Sequence, residues 1–77
     1  MMRMLSPEAI QGLRERFPAG TIVELIRMED EFAPPAGTLG KIIAIDDVGT
    51  LHVAWSTGGS LGLVPGVDAW KAVSEDD

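Results

Sequence analysis

Turn-forming residues divide the middle of this chain into short apolar runs, and this spacing limits the fold more than any other feature. The runs are rich in Ile, Val and Leu and are too short for helices. The residues that separate them, and the tryptophan that ends the last run, are Pro34-Pro35, Gly37, Gly40, Asp46-Asp47, Gly49 and Trp55. Because glycine, proline and aspartate favour turns, the pattern predicts a small β-barrel.

Five short strands are predicted. They span residues 21–28, 40–45, 50–55, 60–64 and 70–73. The third has the cleanest alternation, with Leu51, Val53 and Trp55 on one face. A long first loop, residues 29–38, and shorter later turns complete the pattern. This arrangement predicts a mainly β fold, a five-stranded SH3-like barrel with one short N-terminal helix.

The helix is predicted from its start signals and its apolar spacing. Ser6 is a suitable N-cap and Pro7 suits the first helical position. A narrow apolar stripe follows at helical spacing, formed by Ile10, Leu13 and Phe17. We expect the stripe either to cover one open end of the barrel or to serve as a dimerisation or partner-docking surface.

The length of 77 residues suits one domain. We predict a helix and leader over residues 1–16, the barrel domain over residues 17–73 and a disordered acidic tail over residues 74–77. The start reaches polar residues before an apolar core of signal-peptide length forms, and no run approaches membrane-spanning length. With no cysteine in the chain, we expect a cytoplasmic protein that does not contact membranes.

Charge narrows the choice of partner. Twelve acidic and six basic residues give a net charge of −6, and the basic residues are scattered along the chain. Bare nucleic acid is therefore a poor partner, because phosphate backbones are bound through clustered Lys and Arg. The acid excess serves either solubility or recognition. In recognition, the acids imitate nucleic acid or dock the protein onto a basic partner.

The residues for catalysis are few. The chain has no Cys, no Tyr and one histidine, His52, which lies within a predicted strand with no sequence motif that supplies a nucleophile or an orienting acid. Asp46-Asp47 suits a turn, and the spacing of the acids matches no EF-hand loop. The stretch Gly37-Thr38-Leu39-Gly40-Lys41 lacks the spacing of a phosphate-binding loop. We predict no catalytic residue, no metal site and no cofactor.

The aromatic residues give the best argument for binding. Phe32 lies in the first loop after three consecutive acids, so an exposed Phe32 would be an apolar anchor suited to a basic, partly apolar protein patch. The alternative is that Phe32 folds back over the barrel mouth. Trp55 is predicted in the core, and Trp70 either in the core or at the rim. The predicted binding residues are Glu29, Asp30, Glu31, Phe32, Pro34, Pro35 and Trp70.

Several ordered motifs resemble one known family. They are residues 20–28, residues 33–40, Asp46-Asp47-Val48-Gly49, Trp55 and Gly66-Val67-Asp68. Together they resemble domain-of-unknown-function family 4314 over residues 17–73. The resemblance implies a small domain of bacteria, bacteriophages and mobile elements, and it implies no activity. Relatives tend to have Asp-Asn-Gly after the tryptophan, whereas this chain has Ser56-Thr57-Gly58-Gly59.

Three functions follow as hypotheses. The first is a non-enzymatic module that binds an unidentified protein with a basic patch through the first loop and nearby aromatics. The second is an acidic inhibitor, encoded by a phage or mobile element, that occupies a basic nucleic-acid site on a host protein. The third is weak nucleic-acid binding by the barrel, which requires basic residues such as Arg27 and Lys41 to converge in space. A homodimer through edge strands also stays open.

Overall fold

The chain forms one antiparallel sheet and one helix. A computed structural model describes residues 5–73. Its elements are α1 (Pro7–Arg16), β1 (Ile22–Arg27), β2 (Leu39–Ile45), β3 (Leu51–Trp55) and β4 (Ala69–Ala72). The sheet order is β3-β2-β1-β4, and each neighbouring pair is antiparallel. The mainly β class with a short N-terminal helix is therefore confirmed, whereas the predicted tail over residues 74–77 and the first four residues of the leader lie outside the described residues.

The helix begins and ends as its sequence predicts. The Ser6 hydroxyl accepts a hydrogen bond from the Ala9 amide at 3.1 Å, and Pro7 occupies the first turn. Ile10 and Phe17 are buried in the core. The apolar stripe thus packs against the chain's own sheet, which leaves little of it for a partner. Within residues 5–73, no helix is both long and apolar enough to cross a membrane.

The core lies between the inner face of the sheet and α1. Strand alternation places Val23 and Leu25 of β1 on that face, opposite the inward side chains of the neighbouring strands. The completely or almost completely buried side chains are Val23, Leu25, Ile42, Leu51, Val53 and Leu63. Trp55 is also buried, as predicted from the alternation of β3.

The predicted fourth strand, residues 60–64, is not formed as a strand. Only Leu63 pairs with β3: its amide donates to the Leu51 carbonyl at 2.8 Å, and the Leu51 amide donates to the Leu63 carbonyl at 2.9 Å. The Leu61 carbonyl instead accepts a hydrogen bond from the Trp55 indole Nε1 at 2.9 Å. A side chain thus occupies the acceptor that would have extended the ladder. Over residues 5–73 the sheet has four strands and is not closed, so the five-stranded barrel is not confirmed.

Candidate functional site

A groove lies between the first loop, residues 29–38, and a glycine turn, residues 56–60. Phe32 and Pro34 form one side, and residues 57–61 form the other. Trp55, which is almost fully buried, contributes the inner part of the lining. The groove has a volume of about 360 Å³, which is in the range of small-ligand and side-chain pockets. It lies beside Ser60 and Leu61, at the start of the predicted fourth strand.

Phe32 is presented to solvent by a local turn. The Asp30 carboxylate accepts a hydrogen bond from the Phe32 amide at 2.7 Å, and the Asp30 carbonyl accepts one from the Ala33 amide at 3.1 Å. This is an Asx turn, in which an aspartate holds the backbone two residues ahead. The Phe32 side chain is 77% exposed. It therefore stands beside the groove and does not fold back over the core.

Hydrogen bonds fix both ends of the first loop. At its start, the Asp68 carboxylate accepts from the Glu29 amide and from the Val64 amide, each at 2.9 Å. At its end, the Gly37 amide donates to the Leu25 carbonyl at 2.7 Å. The sequence analysis did not find this role of Asp68, because its partner Glu29 is 39 positions away in the chain. Its only local signal was its place after Pro65-Gly66, where an aspartate suits a turn.

The glycine turn shapes the opposite wall. Gly58 and Gly59 have φ values of +92° and +88°, a region that side chains with a Cβ rarely adopt. An added Cβ at either glycine would meet no atom within 4 Å, so this wall is low and open. The Trp55 indole donates to the Leu61 carbonyl, which ties the far end of this wall to the end of β3.

The predicted binding residues are only partly brought together. Phe32 and Pro34 line the groove, while Glu29, Asp30 and Glu31 precede them in the same loop. Pro35 is exposed but is outside the groove lining. Glu29 also pairs with Arg27 at 3.1 Å, both side chains being exposed.

Trp70 belongs to a different part of the surface. Its ring packs edge-on against Phe17 with centroids 5.7 Å apart, and it lines a separate depression with Leu13, Arg16 and Pro65. Its Nε1 is buried and has no hydrogen-bond partner among residues 5–73. The structure therefore does not bring Trp70 together with Phe32, because the turn of residues 64–68 and α1 place it beside the helix.

His52 has an acidic neighbour that the sequence analysis did not find. Its Nε2 lies 2.9 Å from the Asp46 carboxylate, and both side chains are substantially exposed. Asp46 also accepts from the Thr50 amide at 2.9 Å and the Val48 amide at 3.1 Å, which bears out its predicted turn role. His52 lines neither the groove beside Phe32 nor the depression beside Trp70. In residues 5–73, no group of three or more His, Asp or Glu side chains is placed to hold a metal ion.

The contacts of Asp46 give a prediction for acid stability. The His52 hydrogen bond, followed by the Thr50 amide, holds the pKa of Asp46 below the ordinary aspartate value of 3.8. The folded chain thus binds this proton less readily than the unfolded chain. The resulting stabilisation is complete above the ordinary value and is lost as the pH falls through the lowered one. In urea unfolding from about pH 6 to about pH 2, the advantage of the native protein over Asp46→Asn should shrink. A constant difference would contradict this.

Comparison with known proteins returned one family. The family model described as "Domain of unknown function (DUF4314)" matches residues 6–73, which include α1 and all four strands. The match confirms the predicted resemblance and extends it to the N-terminal helix. Neither a curated protein nor a solved structure matches the chain.

Proposed function

We propose that this chain, which belongs to the DUF4314 family, is a non-enzymatic protein-binding module. Its contact surface is the groove between the first loop and the glycine turn. The family description carries no activity. The proposal therefore depends on the chemistry of the groove.

The connectivity supports a finer description of the scaffold. The paired hydrogen bonds between Leu51 and Leu63, which belongs to the segment of residues 60–64, lie along the edge of β3 that faces away from β2. With that segment in the fourth position, the order becomes that of a five-stranded SH3-like barrel. Such barrels are small scaffolds whose loops are available for recognition.

One observation carries the proposal: Phe32 is 77% exposed on a loop that is hydrogen-bonded at both ends. A large aromatic side chain in water is unfavourable unless a partner covers it, and aromatic anchors dominate many protein interfaces. Because the loop is held in place, a partner binding there loses little conformational entropy of the loop. The acids before Phe32 favour a partner with basic residues.

The remaining hypotheses make different use of the same residues. An inhibitor that occupies a basic nucleic-acid site would depend on the acids more than on Phe32. Nucleic-acid binding by the barrel gains little from the arrangement of the basic residues. Arg14 and Arg27 each pair with an acid, at 3.2 and 3.1 Å, and Lys41 and Lys71 are on the outer sheet face with Glu24 between their strands.

The test is quantitative affinity capture with matched variants of the tagged protein from nuclease-treated bacterial lysate. Phe32→Ala should abolish capture of the specific partner while changing the free energy of unfolding by less than about 0.5 kcal/mol, because the side chain is exposed. Val48→Ala is the control, since Val48 is 66% exposed and is outside the groove lining. It should leave capture unchanged.

A charge-reversal variant separates the module from the inhibitor. Glu29→Lys with Glu31→Lys spares Asp30, whose carboxylate holds the turn that presents Phe32. The module predicts a smaller loss of capture than for Phe32→Ala. A larger loss, with steep salt dependence, would favour the inhibitor. Capture that disappears only with nuclease treatment would favour nucleic acid and contradict the module.

A further inference from the structure

We infer that the groove holds an arginine side chain of the partner protein, with its guanidinium group against the ring of Phe32. This inference rests on the proposed function, because it names the group that the same groove would bind. It goes beyond that function in assigning a cation, and specifically a planar one, to a cavity that is lined by uncharged residues.

Two aromatic residues from different elements line the groove. Phe32 comes from the first loop and Trp55 from the end of β3. The Trp55 Nε1 already donates to the Leu61 carbonyl at 2.9 Å. The indole N–H is therefore already used, and since Trp55 is 4% exposed it borders the groove only from within. The faces of aromatic rings are electronegative and attract cations, so the exposed ring of Phe32 is the contact for a cationic occupant.

The charges around the groove favour a cation as well. The chain has a net charge of −6, and Glu29-Asp30-Glu31 immediately precede Phe32. Arg27 partly neutralises Glu29, which leaves Asp30 and Glu31 as the acids nearest in sequence to the aromatic side chain. These charges draw a basic segment towards the groove and oppose an acidic one.

The lining itself decides between arginine and lysine. No carboxylate is among the residues that line the groove. A lysine ammonium, which is compact and strongly hydrated, would lose water there without a charged partner. A guanidinium is more weakly hydrated and stacks on aromatic rings. Its N–H groups can also donate to the hydroxyls of Thr57 and Ser60 on the opposite wall.

The two tryptophans provide a built-in test. We would titrate the full chain, labelled with ¹⁵N, with blocked pentapeptides that carry arginine, lysine, citrulline or norleucine between pairs of glycines. Citrulline keeps the shape of arginine without its charge, and norleucine keeps only the apolar stem. The arginine peptide should shift the Trp55 indole N–H resonance and leave that of Trp70 unchanged, because Trp70 lines a separate depression. The other three peptides should bind at least about threefold more weakly.

A second variant tests the role of the ring. Phe32→Leu keeps an exposed apolar side chain but removes the aromatic face, so it should weaken arginine binding about three- to tenfold and leave norleucine binding unchanged. Val48→Ala should alter neither.

The outcomes that overturn the inference differ from those that overturn the proposed function. Equal or tighter binding of norleucine would make the groove an apolar site: the arginine assignment would fall and the module would stand. A shift at Trp70 alone, or no shift at Trp55 with any peptide, would also reject the assignment. The module itself falls only when capture of the partner is insensitive to Phe32→Ala.

Discussion

Replacing Leu63 with alanine should lower the free energy of unfolding by about 2–5 kcal/mol, the cost of removing a fully buried leucine side chain from a packed core. Leu63 has no exposed surface and packs in the same cluster as Val23, Leu25 and Leu51. A domain of this size has only about 5 kcal/mol or somewhat more in total. The variant should therefore be largely unfolded at modest urea concentrations, as followed by tryptophan fluorescence.

The neighbouring residue provides the control for Leu63. Val64 is 42% exposed, so Val64→Ala should change stability by less than about 0.5 kcal/mol. Comparable losses in the two variants would mean that this segment is not anchored in the core through Leu63. Because Leu63 is the one residue of its segment that pairs with β3, its loss should also alter the Trp55 environment before global unfolding.

The second large effect is expected at Gly40, where alanine should destabilise the fold by about 1–3 kcal/mol through overpacking. Gly40 lies opposite Trp55 in the β2–β3 pair. An added Cβ would stand 2.5 Å from Val53 Cγ1 and 2.7 Å from Trp55 Cε3, both closer than packed carbon atoms approach. Both side chains belong to the buried core, so they have little room to move away.

The same substitution at Gly12 should have the opposite sign. Gly12 is inside α1, and an added Cβ there would meet nothing within 4 Å. Alanine should therefore stabilise the helix by up to about 1 kcal/mol, because glycine is the poorer helix former. Thermal unfolding of the two variants gives the comparison. A stabilised Gly40→Ala, or equal shifts in the two variants, would show that β2 and β3 are not packed as closely as the distances indicate.

The sheet was predictable because its strands obey a local rule. Val23 and Leu25 share one face of β1, and Leu51, Val53 and Trp55 share one face of β3, and their burial follows from the two-residue period of a strand. Residues 60–64 carry a similar apolar pattern but form only one bridge. Within this segment the Leu61 carbonyl accepts from the Trp55 side chain, a contact that no hydropathy pattern encodes.

The candidate site was predictable to the extent that it is local. Phe32 and Pro34 lie in a long loop of turn-forming residues, and that loop does border the groove. The anchor at Asp68 and the displacement of Trp70 to the helix both depend on contacts between distant parts of the chain. The Asp46–His52 pair is closer in sequence, six positions apart, but its members meet only after the β2–β3 turn has formed.

Two exposed residues of the groove wall, Thr57 and Ser60, can change separately from the residues that maintain the fold. In the described chain, the backbone of residues 58–62 shares two hydrogen bonds with β3, both at Trp55: its amide donates to the Gly59 carbonyl at 3.3 Å, and its carbonyl accepts from the Gly58 amide at 2.9 Å. The buried core contact of this segment is made by Leu63, which follows the groove wall in the chain. A lineage could therefore alter Thr57 and Ser60, and with them the choice of ligand, at little cost to folding, whereas Gly58 and Gly59 are constrained by their positive φ. Selection on recognition and selection on stability would act on neighbouring but different positions.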